Sequence, residues 1–261
     1  MESALGVSLI SVLLILHVMG DFYLQTEKIA HNKKTSYRGV IIHAIQYGIP
    51  YLLALIFVKF NILILFCFML SVLAHYVVDS LKYWLNRKSI CRCFFTRPAI
   101  VFAADQLLHI VLLIFIAMIY VKSNFPGEQV YFYGVWNDLL LVIKLLPVLA
   151  IKWLLLALII LKPANIIFGL FFSNFKPEDE GARDEKQQRA GAIIGSLERI
   201  LIVFFLSINQ FSALGFILTA KSIARYDAIA KDRKFAEYYL IGTLVSVVFS
   251  VAAYTLVFKG L

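Results

Sequence analysis

Apolar residues fill this chain in long runs separated by short polar stretches, and eight of the runs are about one bilayer long: 4–25, 39–58, 61–84, 99–121, 148–173, 189–207, 210–226 and 236–258. About 20 consecutive apolar residues cross the hydrocarbon core as a helix. The pattern therefore predicts an all-α, polytopic membrane bundle of about eight transmembrane helices. Residues 136–147 end at Pro147 and read as an interfacial lead-in to the fifth span. The charged stretch 174–188 holds Pro177 and Gly181 and divides the chain. It predicts a membrane bundle over 1–173, a cytoplasmic linker over 174–188 and a three-helix membrane unit over 189–261.

Composition agrees with that class. The chain of 261 residues is 61% hydrophobic and 16% charged, whereas a soluble domain carries about 45–50% apolar residues and about 25% charge. The first run has no basic segment before it and no small-residue cleavage site, so it reads as a retained helix rather than a signal peptide. Cys67, Cys91 and Cys93 give no disulfide framework; Cys91 and Cys93 are too sparse for a zinc site and read as free thiols in a reducing cytoplasm.

The net charge of +9 would suggest nucleic acid if it were spread evenly, but its position decides otherwise. Lys28, Lys33, Lys34 and Arg38 follow span 1. Arg87, Lys88, Arg92 and Arg97 follow span 3. Lys176, Arg183 and Lys186 follow span 5, and Lys231, Arg233 and Lys234 follow span 7. The alternate connections hold little beyond Lys59, Lys122 and Lys259. Positive loops stay inside, which predicts both termini outside the cytoplasm. The charge is an orientation signal that also faces anionic headgroups, and no nucleic-acid partner is expected.

Ionisable groups inside the spans carry the candidate chemistry. His17 and Asp21, His75 and Asp79, and Asp105 and His109 each stand four residues apart, one helical turn on one face. His43 lies on span 2 with Gln46 three residues on. With the predicted orientation all seven fall near the cytoplasmic ends of four successive helices. The order inverts on span 4, as equal depth in an oppositely directed helix requires. Unpaired carboxylates in a membrane are costly, about 2.5–3.5 kcal/mol each at the helix centre on insertion scales, so something must compensate them. Three readings fit: a polar network that joins the helices, an ion or proton path, and a metal site. Imidazole with carboxylate suits Zn²⁺, Mn²⁺ or Fe²⁺, and bundles place such pairs on facing helices. Three carboxylates against two divalent ions leave one positive charge for a hydroxide to cancel; one ion with the remaining groups around it fits nearly as well. Gln25 and Lys82 stand at the rim as candidate substrate contacts, although a single lysine there reads first as a snorkelling side chain.

A second cluster lies in the C-terminal part. Glu198, Arg199, Lys221, Arg225 and Glu237 are expected at cytoplasmic depth, either as a structural ion network or as an anion- or headgroup-binding site. Gly191 and Gly195 form a GxxxG suited to close helix packing.

These residues resemble a family of multi-pass bacterial membrane proteins known as a domain of unknown function. The likeness is carried by H17-x-x-G-D21-F-x-L-Q25, H75-x-x-x-D79-x-x-K82 and D105-Q106-x-x-H109, and later by G195-S-L-E198-R199, A220-K221-S222-I-x-R225 and E237-Y-x-L-I-G-T243-L. More distantly, the H-x-x-x-D of span 3 is similar to that of membrane-bound metal-dependent hydrolases. The H-x-x-x-x-H of those proteins has no counterpart, since His43 stands alone. The first expectation is thus a metal-dependent hydrolase of the bacterial inner membrane, with one or two divalent ions held at the cytoplasmic leaflet and a lipid-like or phosphorylated amphipathic substrate. A transporter of metal ions or protons, and a non-enzymatic protein with a structural metal, are the alternatives. Apolar outer halves of spans 1, 3 and 4 favour a one-sided pocket; Pro50 in span 2 keeps a broken, transporter-like helix open.

Overall fold

The structure is a computed structural model that describes residues 6–87, 97–123, 129–142, 145–172, 175 and 185–261. Cys91 and Cys93 lie outside the described residues, as do 174 and 176–184 of the expected linker, whose last residues, 185–188, are helical. Among the described residues the fold is all-α apart from one two-stranded ribbon. The chain forms two compact units, Met1–Leu155 and Leu156–Leu261.

In the first unit, β1 (Val7–Ser8) leads into α1 (Leu9–Val18), which continues as a π-helical turn, Met19–Leu24. Nearly all of α1 is buried. A helix apolar on every side belongs in the middle of a bundle, and α1 packs between α3 (Tyr37–Phe57) and α5 (Pro98–Ser123). After the π turn the chain bends by 91° into the short polar helix α2 (Glu27–Thr35). The Thr26 hydroxyl accepts from Ile29 N to start α2, and Ser36 accepts from Gly39 N to start α3. α4 (Ile62–Arg87) packs on both α3 and α5. β1 pairs antiparallel with β2 (Gln129–Val130), and α6 (Gly134–Val142) follows where the interfacial lead-in is expected. Leu13, Tyr51, Phe68, Leu113 and Tyr120 anchor the core of this unit, while Ile45, Leu52, Phe66, Leu107 and Phe115 point outward. Apolar side chains on the outside as well as the inside are what a lipid solvent requires.

α7 (Pro147–Ile160) carries the boundary between the units, and α8 (Lys162–Phe171) continues it after a break at Leu161. The second unit goes on through α9 (Glu185–Ser207), α10 (Phe211–Ala224), α11 (Tyr226–Lys231) and α12 (Arg233–Thr255).

Among the described residues five helices are long and apolar enough to cross a membrane, or six if the bent pair of α1 with its π turn and α2 is one span, against the eight expected. α10 has 14 residues, about 21 Å of helix, short of a hydrocarbon core about 30 Å thick. Pro50 does not break its helix: α3 runs unbroken from Tyr37 to Phe57 with Pro50 buried. The interruption lies at Leu161, just ahead of Pro163 at the start of α8.

Candidate metal centre

Each of the seven sequence-derived residues reaches one spot in the first unit, and none is more than 9% exposed. The π turn supplies Asp21, α1 His17, α3 His43, α4 His75 and Asp79, and α5 Asp105 and His109. Placing Asp21 on a π turn is in keeping with the wider ring of such turns, which re-aims side chains and recurs at functional sites.

The heart of the cluster is four donor atoms. Nε2 of His43 lies 3.1 Å from Nε2 of His75 and 3.2 Å from Oδ1 of Asp21. Nε2 of His75 lies 3.3 Å from Oδ2 of Asp79 and 3.9 Å from Oδ1 of Asp21. His43 Nε2 to Asp79 Oδ2 is 3.6 Å. Donors held at about 2.0–2.1 Å by one ion stand about 2.9–3.4 Å apart in octahedral or tetrahedral arrangement; the His43–His75, His43–Asp21 and His75–Asp79 separations fall in that range, and the 3.6 and 3.9 Å separations are wider. Asp21, His43 and His75 form one candidate metal-holding triad, and His75, Asp79 and His109 a second. Two imidazole nitrogens and two carboxylate oxygens converging in a dry interior need positive charge between them.

Some of that charge comes from Lys33, a residue that sequence reasoning counted only as a loop cation. Its ammonium lies 2.6 Å from Asp79 Oδ2 and 3.9 Å from Asp21 Oδ1, with the side chain 12% exposed. Burial would lower its pKa, but Asp21 and Asp79 outweigh that and hold it above the ordinary value. Lys82 lies 2.6 Å from Asp105 Oδ2, so it pairs rather than snorkels. The cluster thus holds three carboxylates and two ammonium groups.

The remaining members position their neighbours. Gln106 donates to Asp21 Oδ2 at 2.7 Å and accepts from His17 Nε2 at 3.3 Å. His17 Nδ1 therefore accepts from the Tyr47 hydroxyl, 3.1 Å away, and that hydroxyl accepts from Tyr51 at 2.8 Å. Both ring nitrogens of His17 are occupied, which puts it outside the donor set. The Tyr47 ring lies flat on that of His75, 3.7 Å between centroids and 4° between planes, and His109 stacks on the same imidazole at 4.2 Å. Gln25, with its amide nitrogen turned to Asp21, donates to Oδ1 at 3.2 Å. Tyr47 was legible four residues after His43 on the same face. Lys33 was not, because only the 91° bend brings α2 back over the site.

Several buried atoms keep no hydrogen-bond partner among the described residues: Nδ1 of His43 and His75, Oδ1 of Asp79 and Asp105, and Nε2 of His109. On the inner side, the gap lined by Tyr47, Ser71, His75 and His109 leaves no room for a water molecule.

All of this falls inside one matched segment. Residues 9–137 match a family described as "Protein of unknown function (DUF3307)". That match holds the whole cluster, with Lys33, Tyr47, Lys82 and Gln106. It stops before the second unit, so the motifs expected at 195–199, 220–225 and 237–244 lie outside the match. No curated protein and no solved structure matches the chain.

The second cluster is smaller than expected. Glu198 Oε2 pairs with Lys221 at 2.5 Å, and Lys221 also donates to Thr243 Oγ1 at 3.1 Å. Arg199 is not part of that pairing: its Nε donates to the Ile160 carbonyl at 2.5 Å and Nη2 to Asn165 Oδ1 at 2.6 Å, satisfying backbone freed by the break after α7. Glu237 pairs instead with Arg233 at 3.0 Å in the open, and Arg225 is exposed.

Proposed function

We propose that the first unit is the catalytic body of a membrane-embedded, metal-dependent hydrolase, with one divalent ion (Zn²⁺, Mn²⁺ or Fe²⁺) held by Asp21, His43, His75 and Asp79. The observation that carries this reading is the convergence of the Asp21, His43 and His75 donors within 3.1–3.9 Å of one another, with Asp79 Oδ2 3.3 Å from His75 and 3.6 Å from His43. One ion is favoured over two. His75 belongs to both triads, so two ions would have to share it; Lys33 and Lys82 also neutralise charge that a second ion would otherwise be needed for.

An ion in this place supplies Lewis-acid polarisation and a more acidic water. The chain's own residues do the rest. Gln106 and Gln25 hold the Asp21 carboxylate, Tyr47 fixes the plane of the His75 ring, and Lys82 holds Asp105 beside His109. A substrate enters from the α2 side, since the inner side has no room for even a water. Below it Leu13, Leu16, Phe68 and Leu113 close an apolar plug. That plug favours a one-sided active site over a transport path, which needs polar groups across the midplane.

The basic loops support placement of this face at the cytoplasmic leaflet of a bacterial inner membrane, with both termini outside. A mouth at headgroup depth suits an amphipathic, phosphorylated lipid-like substrate. The test is a hydrolysis screen of phospholipids and isoprenoid phosphates with protein in proteoliposomes. Activity that chelator abolishes, that a divalent metal restores and that His75→Ala lacks supports the reading. A metal-loaded protein inert on every phosphorylated and acylated lipid would leave a structural metal instead.

A further inference from the structure

We infer that Lys33 and the metal centre together form a binding site for one phosphodiester, the lysine meeting one non-bridging oxygen and the ion the other. The inference rests on the reading of Asp21, His43, His75 and Asp79 as a metal centre.

The starting point is charge. Three carboxylates (Asp21, Asp79, Asp105) meet two ammonium groups (Lys33, Lys82), which leaves one carboxylate charge in excess. A divalent ion converts that to a net single positive charge in a site whose members are nearly all buried. Charge of that kind is costly in a low dielectric and calls for one anion.

Geometry names the group that would meet the anion. Lys82 keeps its own carboxylate, Asp105. Lys33 does not keep its own: the oxygens it touches, Asp79 Oδ2 at 2.6 Å and Asp21 Oδ1 at 3.9 Å, are the same atoms that face His43 and His75. An ion bound by those oxygens takes their charge and repels the ammonium beside it. Lys33 is on the polar helix α2 with its side chain 12% exposed, more than Asp21, His43, His75 or Asp79, while the gap beneath His75 has no room for water. Its ammonium is therefore left next to the ion without a counter-charge of its own.

The anion's class follows. A hydroxide on the ion cancels one charge but offers one oxygen. A phosphodiester carries the same single charge on two equivalent oxygens, so it can touch the ion and Lys33 together; metal ions and Lys are both ordinary phosphate partners. Binding of metal and anion should then be coupled, each tightening the other by the same factor.

The experiment is calorimetric titration of Zn²⁺ and Mn²⁺ into detergent-solubilised, metal-stripped protein, with and without diethyl phosphate or acetate. Wild type should bind metal about tenfold more tightly with diethyl phosphate and little more tightly with acetate. Lys33→Met should bind metal at least as tightly as wild type without anion, having lost the competing ammonium, and should show no response to diethyl phosphate. Lys33→Arg, which keeps the charge, should retain the response and guards against a Lys33→Met protein that fails to fold. Repeating the titration in phosphatidylglycerol nanodiscs separates the sources. A Lys33-dependent tightening there identifies a lipid headgroup, and tightening by diethyl phosphate alone identifies a soluble diester. Metal binding that no anion affects, that acetate affects as strongly, or that responds alike in wild type and Lys33→Met overturns the inference while leaving the metal centre standing. Failure of wild type to bind metal removes both.

Discussion

At the scale of single residues, the site separates into atoms that could ligate and atoms that hold those in place. Gln106 belongs to the second group: it ties His17 to Asp21 across two helices. Gln106→Leu keeps the volume but leaves Asp21 Oδ2 and His17 Nε2 buried without partners. Losing such a supporting contact lowers metal affinity about 10–100-fold, and calorimetry should show that drop while circular dichroism reports an unchanged helical fold. Tyr47→Phe is milder. The ring on His75 stays and only the hydroxyl link between His17 and Tyr51 goes. Chemical unfolding should show a loss of about 1 kcal/mol with metal stoichiometry intact.

How much of this was legible in the sequence is a matter of range. The His/Asp pairs were, because a four-residue spacing is a statement about one helix face, and the inversion on the fourth span is a statement about depth. Tyr47 and Gln106 lie beside or one turn from named residues and could have been read the same way. Lys33 could not. Its role depends on a bend of 91° and on packing of α2 against α3, neither of which has a local signature. Nor could the ion pairs of the second unit be assigned. Glu198, Arg199 and Glu237 were all possible partners by depth, and side-chain packing alone sends Arg199 to a backbone carbonyl and Glu237 to a neighbour on its own helix.

At the scale of elements, two glycines set how closely helices approach the site. A Cβ on Gly20 in the π turn would stand 2.6 Å from Cδ2 of Tyr47, whose ring is already clamped on His75. A Cβ on Gly39 in α3 would stand 2.3 Å from the Asn32 carbonyl oxygen in α2. Both contacts are too short for either partner to stay in place, and in the second the partner is backbone. Overpacking of this kind costs about 1–3 kcal/mol. Gly39→Ala should therefore lift α2 and with it Lys33, seen as faster amide exchange over residues 27–35 with protection in α4 and α5 unchanged. Gly20→Ala should instead weaken metal binding directly, through Tyr47 and His75. Equal protection of α2 in Gly39→Ala and wild type would contradict this view of the helix.

At the scale of the whole molecule, the donor atoms all belong to the first unit, and the part-buried pair Glu198–Lys221 belongs to the second. Breaking a fully buried ion pair by removing one charge costs about 3–5 kcal/mol, and the 21% exposure of Lys221 sets this pair at the low end of that range. Glu198→Gln should thus destabilise the second unit by an amount of that order in thermal unfolding, without changing the metal content of the protein. The two units would then carry separate tasks, the first holding the chemistry and the second a charged interior whose Arg199 closes a broken helix. The measurement that bears most directly on the central claim is elemental analysis of protein purified without chelator, wild type beside Asp79→Ala and His75→Ala. The four-donor centre predicts one divalent ion per chain in wild type and a small fraction of that in either variant; a wild type free of metal, or variants that keep a full equivalent, would contradict it.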